Sequence, residues 1–165
     1  PLSAPLNIVG VPRVELHFST DVPDSLFVVK LLDIYPDGFE GILTESACMA
    51  RYWQGLDAPP APVPTGTVCQ LSFDLKTTAV TWLPGHRIGV LVTSSSEPAF
   101  EVHPNTFTQV WSYAASPTAH HSIHTAAAAP SQLILPMAVP ESAVTGVIVS
   151  ALLFGRHACA SNLNH

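Results

Sequence analysis

Residues 26–38 read LFVVKLLDIYPDG. From Leu26 to Ile34 only Lys30 and Asp33 interrupt an apolar run rich in Leu and Val, and the run stops abruptly at Tyr35-Pro36-Asp37-Gly38. A run of this length, closed by Pro-Asp-Gly, predicts a buried central strand that ends in a tight turn. It commits the chain to a β fold. Sixteen prolines point the same way, because they cut the sequence into short pieces and disfavour long helices.

The flanking sequence supplies further strands. Leu6 to Gly10 reads as a short one. Arg13 to Ser19 alternates strictly, with Val14, Leu16 and Phe18 on one side and Arg13, Glu15, His17 and Ser19 on the other, the pattern of a half-buried antiparallel strand. Residues 20–24, TDVPD, form a turn cluster. Gly41 to Trp53 holds two strand segments around Thr44-Glu45-Ser46. Gly55 to Gly66, with four prolines, is a surface loop. Cys69 to Lys76 alternates again, Leu83-Pro84-Gly85 carries a type II turn signal, and Arg87 to Thr93 is the next strand. After a polar loop from Ser94 to Asn105, shorter strands are expected at Phe107 to Tyr113, Ser122 to Thr125 and Gln132 to Leu135. Short strands punctuated by turns, without a convincing amphipathic helix, predict an all-β sandwich. Jelly-roll topology is one solution among several on spacing alone.

The 165 residues suit one domain, and 47% apolar against 11% charged composition excludes a disordered chain. Six Lys and Arg against a net charge of −6, scattered singly at Arg13, Lys30, Arg51, Lys76, Arg87 and Arg156, exclude a nucleic-acid groove, which needs clustered cations, and leave no polybasic membrane patch. Cys48, Cys69 and Cys159 form no CxxC pair and read as buried thiols rather than a disulfide framework, so the redox compartment stays open. The N-terminus lacks a basic region and an apolar core, so no signal peptide is expected. With no initiating Met, the chain reads as a piece of something longer. No stretch reaches the ~18 apolar residues of a membrane span. The body is assigned to residues 1–140. Residues 141–165 form a distinct tail whose apolar stretch, Ala143 to Phe154, gives way to polar Ser161 to His165. That stretch fits a strand, a docked helix or an interface segment.

Several clusters invite chemistry. A serine hydrolase needs a nucleophile elbow, G-x-S-x-G, and the sequence has none; Ser94-Ser95-Ser96 reads as a polar loop. His120, His121 and His124 form H-H-x-x-H. On a strand His120 and His124 share a face while His121 points away, and zinc needs three or four convergent ligands, so packing or surface use is preferred over metal. His86 reads as a structural residue bonding backbone carbonyls. Asp33 and Asp37 flank the turn as candidate acid/base or Ca²⁺ groups, but they read better as framework. Asp37 makes the turn, Asp33 emerges to solvent, and Arg51 pairs with one of them. Trp53, Trp82 and Trp111 offer a sugar platform only if they converge; core or interdomain packing is preferred. No catalytic, cofactor-binding or metal-ligating residue is assigned, and no cofactor is expected.

Three segments together carry a family resemblance. The first is residues 19–25, STDVPDS, running into 27–38, FVVKLLDIYPDG. The second is Phe73-Asp74-Leu75 followed by Pro84-Gly85-His86-Arg87-Ile88, continuing through Thr93-Ser94-Ser95-Ser96 to His103-Pro104-Asn105-Thr106. The third is residues 130–136, PSQLILP. Ala50-Arg51-Tyr52 also fits. In order and spacing, Leu6 to Pro136 resembles the non-catalytic C-terminal domain of X-prolyl dipeptidyl-peptidases and their cocaine esterase and α-amino acid ester hydrolase relatives. The chain departs from that pattern near Ala99 and Val102, where basic residues are usual, at Phe107, where Gly is frequent, and at Ala129, where His is usual. The resemblance implies a jelly-roll, galactose-binding-like sandwich that packs on an α/β-hydrolase domain carrying a Ser-Asp-His triad. By this resemblance the chain itself breaks no bonds. It braces the hydrolase domain of the same parent protein and helps wall its cleft, with a homo-oligomer left open. The alternative is a free-standing carbohydrate- or ligand-binding sandwich module.

Overall fold

A computed structural model provides the structure and describes residues 1–108 and 116–138. Its strands are β1 (Leu6–Gly10), β2 (Arg13–Thr20), β3 (Leu26–Ile34), β4 (Glu40–Met49), β5 (Cys69–Asp74), β6 (Thr78–Trp82), β7 (Arg87–Thr93), β8 (His121–Ile123) and β9 (Gln132–Ile134), with a single 3-10 turn at Ala50–Tyr52. All strand pairs are antiparallel. No α-helix occurs among the described residues, so the all-β expectation is met.

The chain doubles back on itself as one long hairpin. β3 pairs with β4, β2 with β5 and β1 with β6, a nested set. β7 then adds to the free edge of β3, and β8 and β9 add end to end along the free edge of β2. A hairpin rolled up in this way is a jelly roll, a two-layer solution that leaves few free strand edges. The layers are β4-β3-β7 and β5-β2-β8/β9. Their facing side chains form one core, including Val14, Leu16 and Phe18 from β2, Phe27, Val29 and Leu31 from β3, and Leu71 and Phe73 from β5. The Phe18 and Phe27 rings lie 4.7 Å apart. Each such fully buried side chain contributes about 1.5–3 kcal/mol relative to exposure.

The alternating strand β2 buries every second residue, as period-2 geometry requires. β3 differs. Seven of its nine positions are buried, because β3 is the central strand and its outer-face residues are flanked on both edges: Val28 lies between Ala47 and Thr93, and Leu32 between Ile42 and Gly89. Gly89 makes room there, since a Cβ at that position would lie 2.8 Å from Ile34 Cδ1 and 3.1 Å from Leu32 Cβ. The turn after β3 is a three-residue hairpin loop. Gly38 N–H donates to Tyr35 O, Tyr35 N–H donates to Phe39 O, and Gly38 takes φ +92°, the left-handed residue this loop type demands.

The two segments expected around Thr44-Glu45-Ser46 are one strand. β4 runs unbroken through them, and its irregularity is a bulge at Leu43, opposite the Leu31–Leu32 step. β6 was not anticipated. Its TAVTW sequence alternates over only five residues, too short to stand out, yet it brings Trp82 to the core at 0% exposure. Phe107 and Thr108 form a bend rather than a strand start. The remainder of that segment, Trp111, Cys159 and the tail from residue 141 lie outside the described residues.

Candidate functional site

At one end of the sandwich, the turn before β3 presents a carboxylate to the interior. Asp24 is fully buried. Its Oδ1 accepts from the backbone N–H groups of Ser25 (2.9 Å) and Arg51 (2.8 Å), and its Oδ2 accepts from Arg51 Nε at 2.5 Å. A buried carboxylate is tolerable only when paired and hydrogen-bonded, and the 3-10 turn after β4 exists where it delivers both Arg51 donors. Arg51 then reaches outward: Nη2 donates to Thr108 O at 3.0 Å, and the guanidinium stacks 5.1 Å from the Phe107 ring centre.

The neighbouring polar groups interlock, and each proton can be placed. Ser25 Oγ donates to Asn105 Oδ1 (2.9 Å), so its contact with His121 Nε2 (3.2 Å) is one it accepts. His121 therefore carries its proton on Nε2, and Nδ1 accepts from Thr20 Oγ1 (3.0 Å). Asn105 N–H donates to His103 Nδ1 (3.0 Å), which puts the His103 proton on Nε2. That nitrogen lies 3.2 Å from Asp24 Oδ2, too bent for a hydrogen bond, so the contact acts as dipole on charge. Asn105 stands in the left-handed region at φ +59° and donates through Nδ2 to Pro117 O. Burial pushes the His121 ring below the ordinary histidine value, which matches a neutral imidazole that donates once and accepts once.

The H-H-x-x-H segment diverges. His121 points inward, its ring 5.0 Å from Phe27. His124 Nε2 meets Ser19 Oγ at 2.9 Å, and exposed His120 meets Asp21 through both its backbone N–H (2.8 Å) and Nδ1 (2.7 Å). These bonds to His120 hold the Asp21 carboxyl below its ordinary range. Asp21 and His120 border an open groove with Ser19, Thr65 and Ser122. Among the described residues no group of three or more His, Cys, Asp or Glu is placed to hold a metal ion.

Three sequence-based assignments change. Asp33 does not emerge to solvent: it is buried, and its Oδ1 lies 2.8 Å from His86 Nδ1. His86, also buried, spends that nitrogen on a side-chain carboxylate rather than on backbone carbonyls, and its ring packs 4.5 Å from Tyr35. Arg51 pairs with Asp24, not with Asp33 or Asp37. Asp37 does shape the turn, accepting from Phe39 N–H at 3.0 Å. Ser96 is a linker in a second ion pair that sequence did not reveal, accepting from Lys30 Nζ (2.8 Å) and donating to Glu45 (3.3 Å), with Lys30 and Glu45 themselves 3.2 Å apart. Trp82 is enclosed in the core, with Nε1 donating to Leu32 O at 3.4 Å, and Trp53 is packed partly against the core.

The charged groups of this end thus spend their hydrogen bonds on one another and on the loop at residues 103–108, which they fasten to the sandwich. The arrangement defines a framework jelly roll whose polar interior holds loops in place. Residues 1–134 match the X-Pro dipeptidyl-peptidase C-terminal non-catalytic domain, and the chain belongs to that family. It is 30% identical over 138 residues to cocaine esterase from Rhodococcus sp. (strain MB1 Bresler), a match that covers 82% of this chain and 24% of that protein. Among solved structures it is similar to an α-amino acid ester hydrolase (31% identity, TM-score 0.77, 84% of this chain and 24% of that one). It is also similar to an aminopeptidase from the marine sediment archaeon Thaumarchaeota archaeon (28% identity, TM-score 0.77, 84% and 25%). The chain spans about a quarter of the length of the relatives it matches, as a non-catalytic domain of a larger hydrolase does.

Proposed function

We propose that the chain serves as the accessory domain of a serine hydrolase acting on esters or X-prolyl peptides, bracing an α/β-hydrolase domain of the same parent protein and helping to wall its cleft. The observation that carries this reading is the family match combined with the quarter-length coverage of the relatives. The outer face of β4-β3-β7 supports it. Ile42 and Leu91 are 57% and 44% exposed there, on either side of the Lys30–Glu45 pair, which is the mix of apolar contact and fixed charge that suits an interdomain surface. In the parent, the hydrolase portion supplies the nucleophile, base and oxyanion hole of acyl transfer.

Two measurements test the reading. The 165-residue chain, incubated with an X-Pro chromogenic dipeptide and with an aryl ester, turns over neither above background; clear activity would refute an inert accessory role. The parent protein with residues 1–140 deleted loses hydrolase activity or heat resistance. A deletion that leaves both intact sinks the bracing function.

A further inference from the structure

Strand β8 is three residues long and pairs with the edge of β2 only from Phe18 to Thr20. A short edge strand with few backbone bonds is where a sheet opens most readily. Yet its first residue carries a titratable ring into the interior. His121 turns into a niche closed by three other elements: Thr20 at the end of β2, Ser25 in the turn before β3, and Phe27 in β3, whose ring lies 5.0 Å away. Both ring nitrogens are engaged there. Thr20 Oγ1 donates to Nδ1, and Nε2–H donates to Ser25 Oγ. Only the neutral ring fills both roles, because a protonated Nδ1 becomes a donor. Thr20 is 3% exposed, and its Oγ1 already accepts from Val22 N–H. With Nδ1 protonated, the Thr20 hydroxyl proton loses its acceptor inside the fold, where an unmade hydrogen bond is costly.

The charges around the ring do not offset this. Burial is the largest influence on His121 and disfavours its protonated form; Asp21, in the turn after β2, favours that form, and the adjacent His120 disfavours it. Asp21 already takes the backbone N–H and Nδ1 of His120. Beyond Ser25 and Asn105, Asp24 pairs with Arg51, and His103 lies against Asp24. We propose that β8 is an acid-sensitive latch: protonation of His121 releases residues 117–123 from the edge of β2 while the rest of the sandwich stays folded. Release breaks the three-residue ladder to β2, the His121 bonds to Thr20 and Ser25, and the bond from Asn105 Nδ2 to Pro117 O. It leaves the Asp24–Arg51 pair and the hold of Arg51 on Thr108 O in place. Acid favours opening because the closed latch holds a proton on His121 less tightly than the open one, whose ring returns to the ordinary histidine value near 6.5. With one proton taken up, the opening constant rises about tenfold for each pH unit below that value, until the closed ring itself titrates. The latch works in the same way whether or not the chain braces a hydrolase.

Hydrogen–deuterium exchange of the full 165-residue chain from pH 8 to pH 5, corrected for the intrinsic exchange rate at each pH, tests the latch. Protection of a peptide covering residues 118–124 holds steady above pH 7 and falls about tenfold per pH unit below 6.5, while a peptide covering residues 27–33 of β3 keeps its protection throughout. His121→Gln, which keeps a donor and an acceptor but takes up no proton, removes the slope; His120→Gln, next door and exposed, retains it. Should His121→Gln fail to fold by circular dichroism, the contrast between the two peptides in the unmodified chain decides. Protection at 118–124 that stays flat down to pH 5 overturns the proposal, as does a parallel fall in β3, which would mean global unfolding. A slope that persists in His121→Gln, or disappears in His120→Gln, overturns it as well.

Discussion

Asp24 and Arg51 show how a single buried charge organises a whole end of the molecule. The carboxylate is fully enclosed, and three N–H donors converge on it. Removing the carboxylate alone, by Asp24→Ala, strands the Arg51 guanidinium among groups that cannot replace its partner. The expected cost is about 3–5 kcal/mol, read as a drop in the urea midpoint at unchanged m-value. A smaller loss, within about 1 kcal/mol, would mean that Arg51 finds solvent by rotating outward past Phe107. That outward route makes Phe107 informative too. Its ring centre lies 5.1 Å from the Arg51 guanidinium carbon. Phe107→Gly should cost about 0.5–1 kcal/mol at this partly exposed site and raise the proteolytic susceptibility of the loop that Arg51 clasps through Thr108 O. The pairings of this network were not legible in the sequence, because Asp24, Arg51, the His103–Asn105 pair and His121 lie tens of residues apart and nothing local says which of them meet. The Arg51 assignment went to Asp33 or Asp37 because those carboxylates stood out beside the turn, whereas Asp24 looked like one more polar turn residue.

At the level of elements, β3 was the most readable part of the chain, and its structure explains why. A central strand flanked by neighbours on both edges buries nearly every position, and residues 26–34 write that as an apolar run broken only by Lys30 and Asp33. β2 and β5 wrote theirs as alternation. β6 hid because five alternating residues carry too little signal, although its burial of Trp82 is complete. The nested pairing of β1 with β6, β2 with β5 and β3 with β4 left no local trace at all, since pairing is set by partners distant in sequence. Only the resemblance in segment order pointed to the jelly roll. On the outer face of β3 the close fit at Gly89 predicts a sharp response. Gly89→Ala places a methyl against the terminal carbon of Ile34 and the Cβ of Leu32. Ile34 can shift but Leu32 Cβ is tied to its backbone, so the substitution should destabilise by about 1–3 kcal/mol. Pairing it with Ile34→Val should recover part of that loss, and a double-mutant cycle showing no coupling would exclude the contact as the cause.

The whole molecule carries its titration behaviour as a plateau with two slopes. His121 is held neutral by burial, its folded value below the ordinary 6.5. A depressed histidine contributes stability that is complete above the unfolded value and is lost as pH falls below it, because the unfolded chain then binds a proton that the fold refuses. Asp21, depressed below 3.8 by His120, adds a further loss at lower pH still. On the alkaline side the Cys48 thiol is pushed up from about 9 to about 11 by burial. A raised thiol leaves stability intact below the unfolded value and removes it as pH climbs from there towards 11, by about 2–3 kcal/mol at 1.36 kcal/mol per unit. Urea titrations from pH 4 to 10.5 should therefore show the highest midpoints between about pH 7 and 8.5, falling on both sides. Cys48→Ala should flatten the alkaline limb, and His121→Phe, a ring of similar size against Phe27, should flatten the first part of the acid limb while lowering the plateau through loss of the Ser25 and Thr20 bonds. An acid limb unchanged in His121→Phe would show that the buried imidazole is not what limits the fold below neutrality. An alkaline limb unchanged in Cys48→Ala would say the same of the thiol.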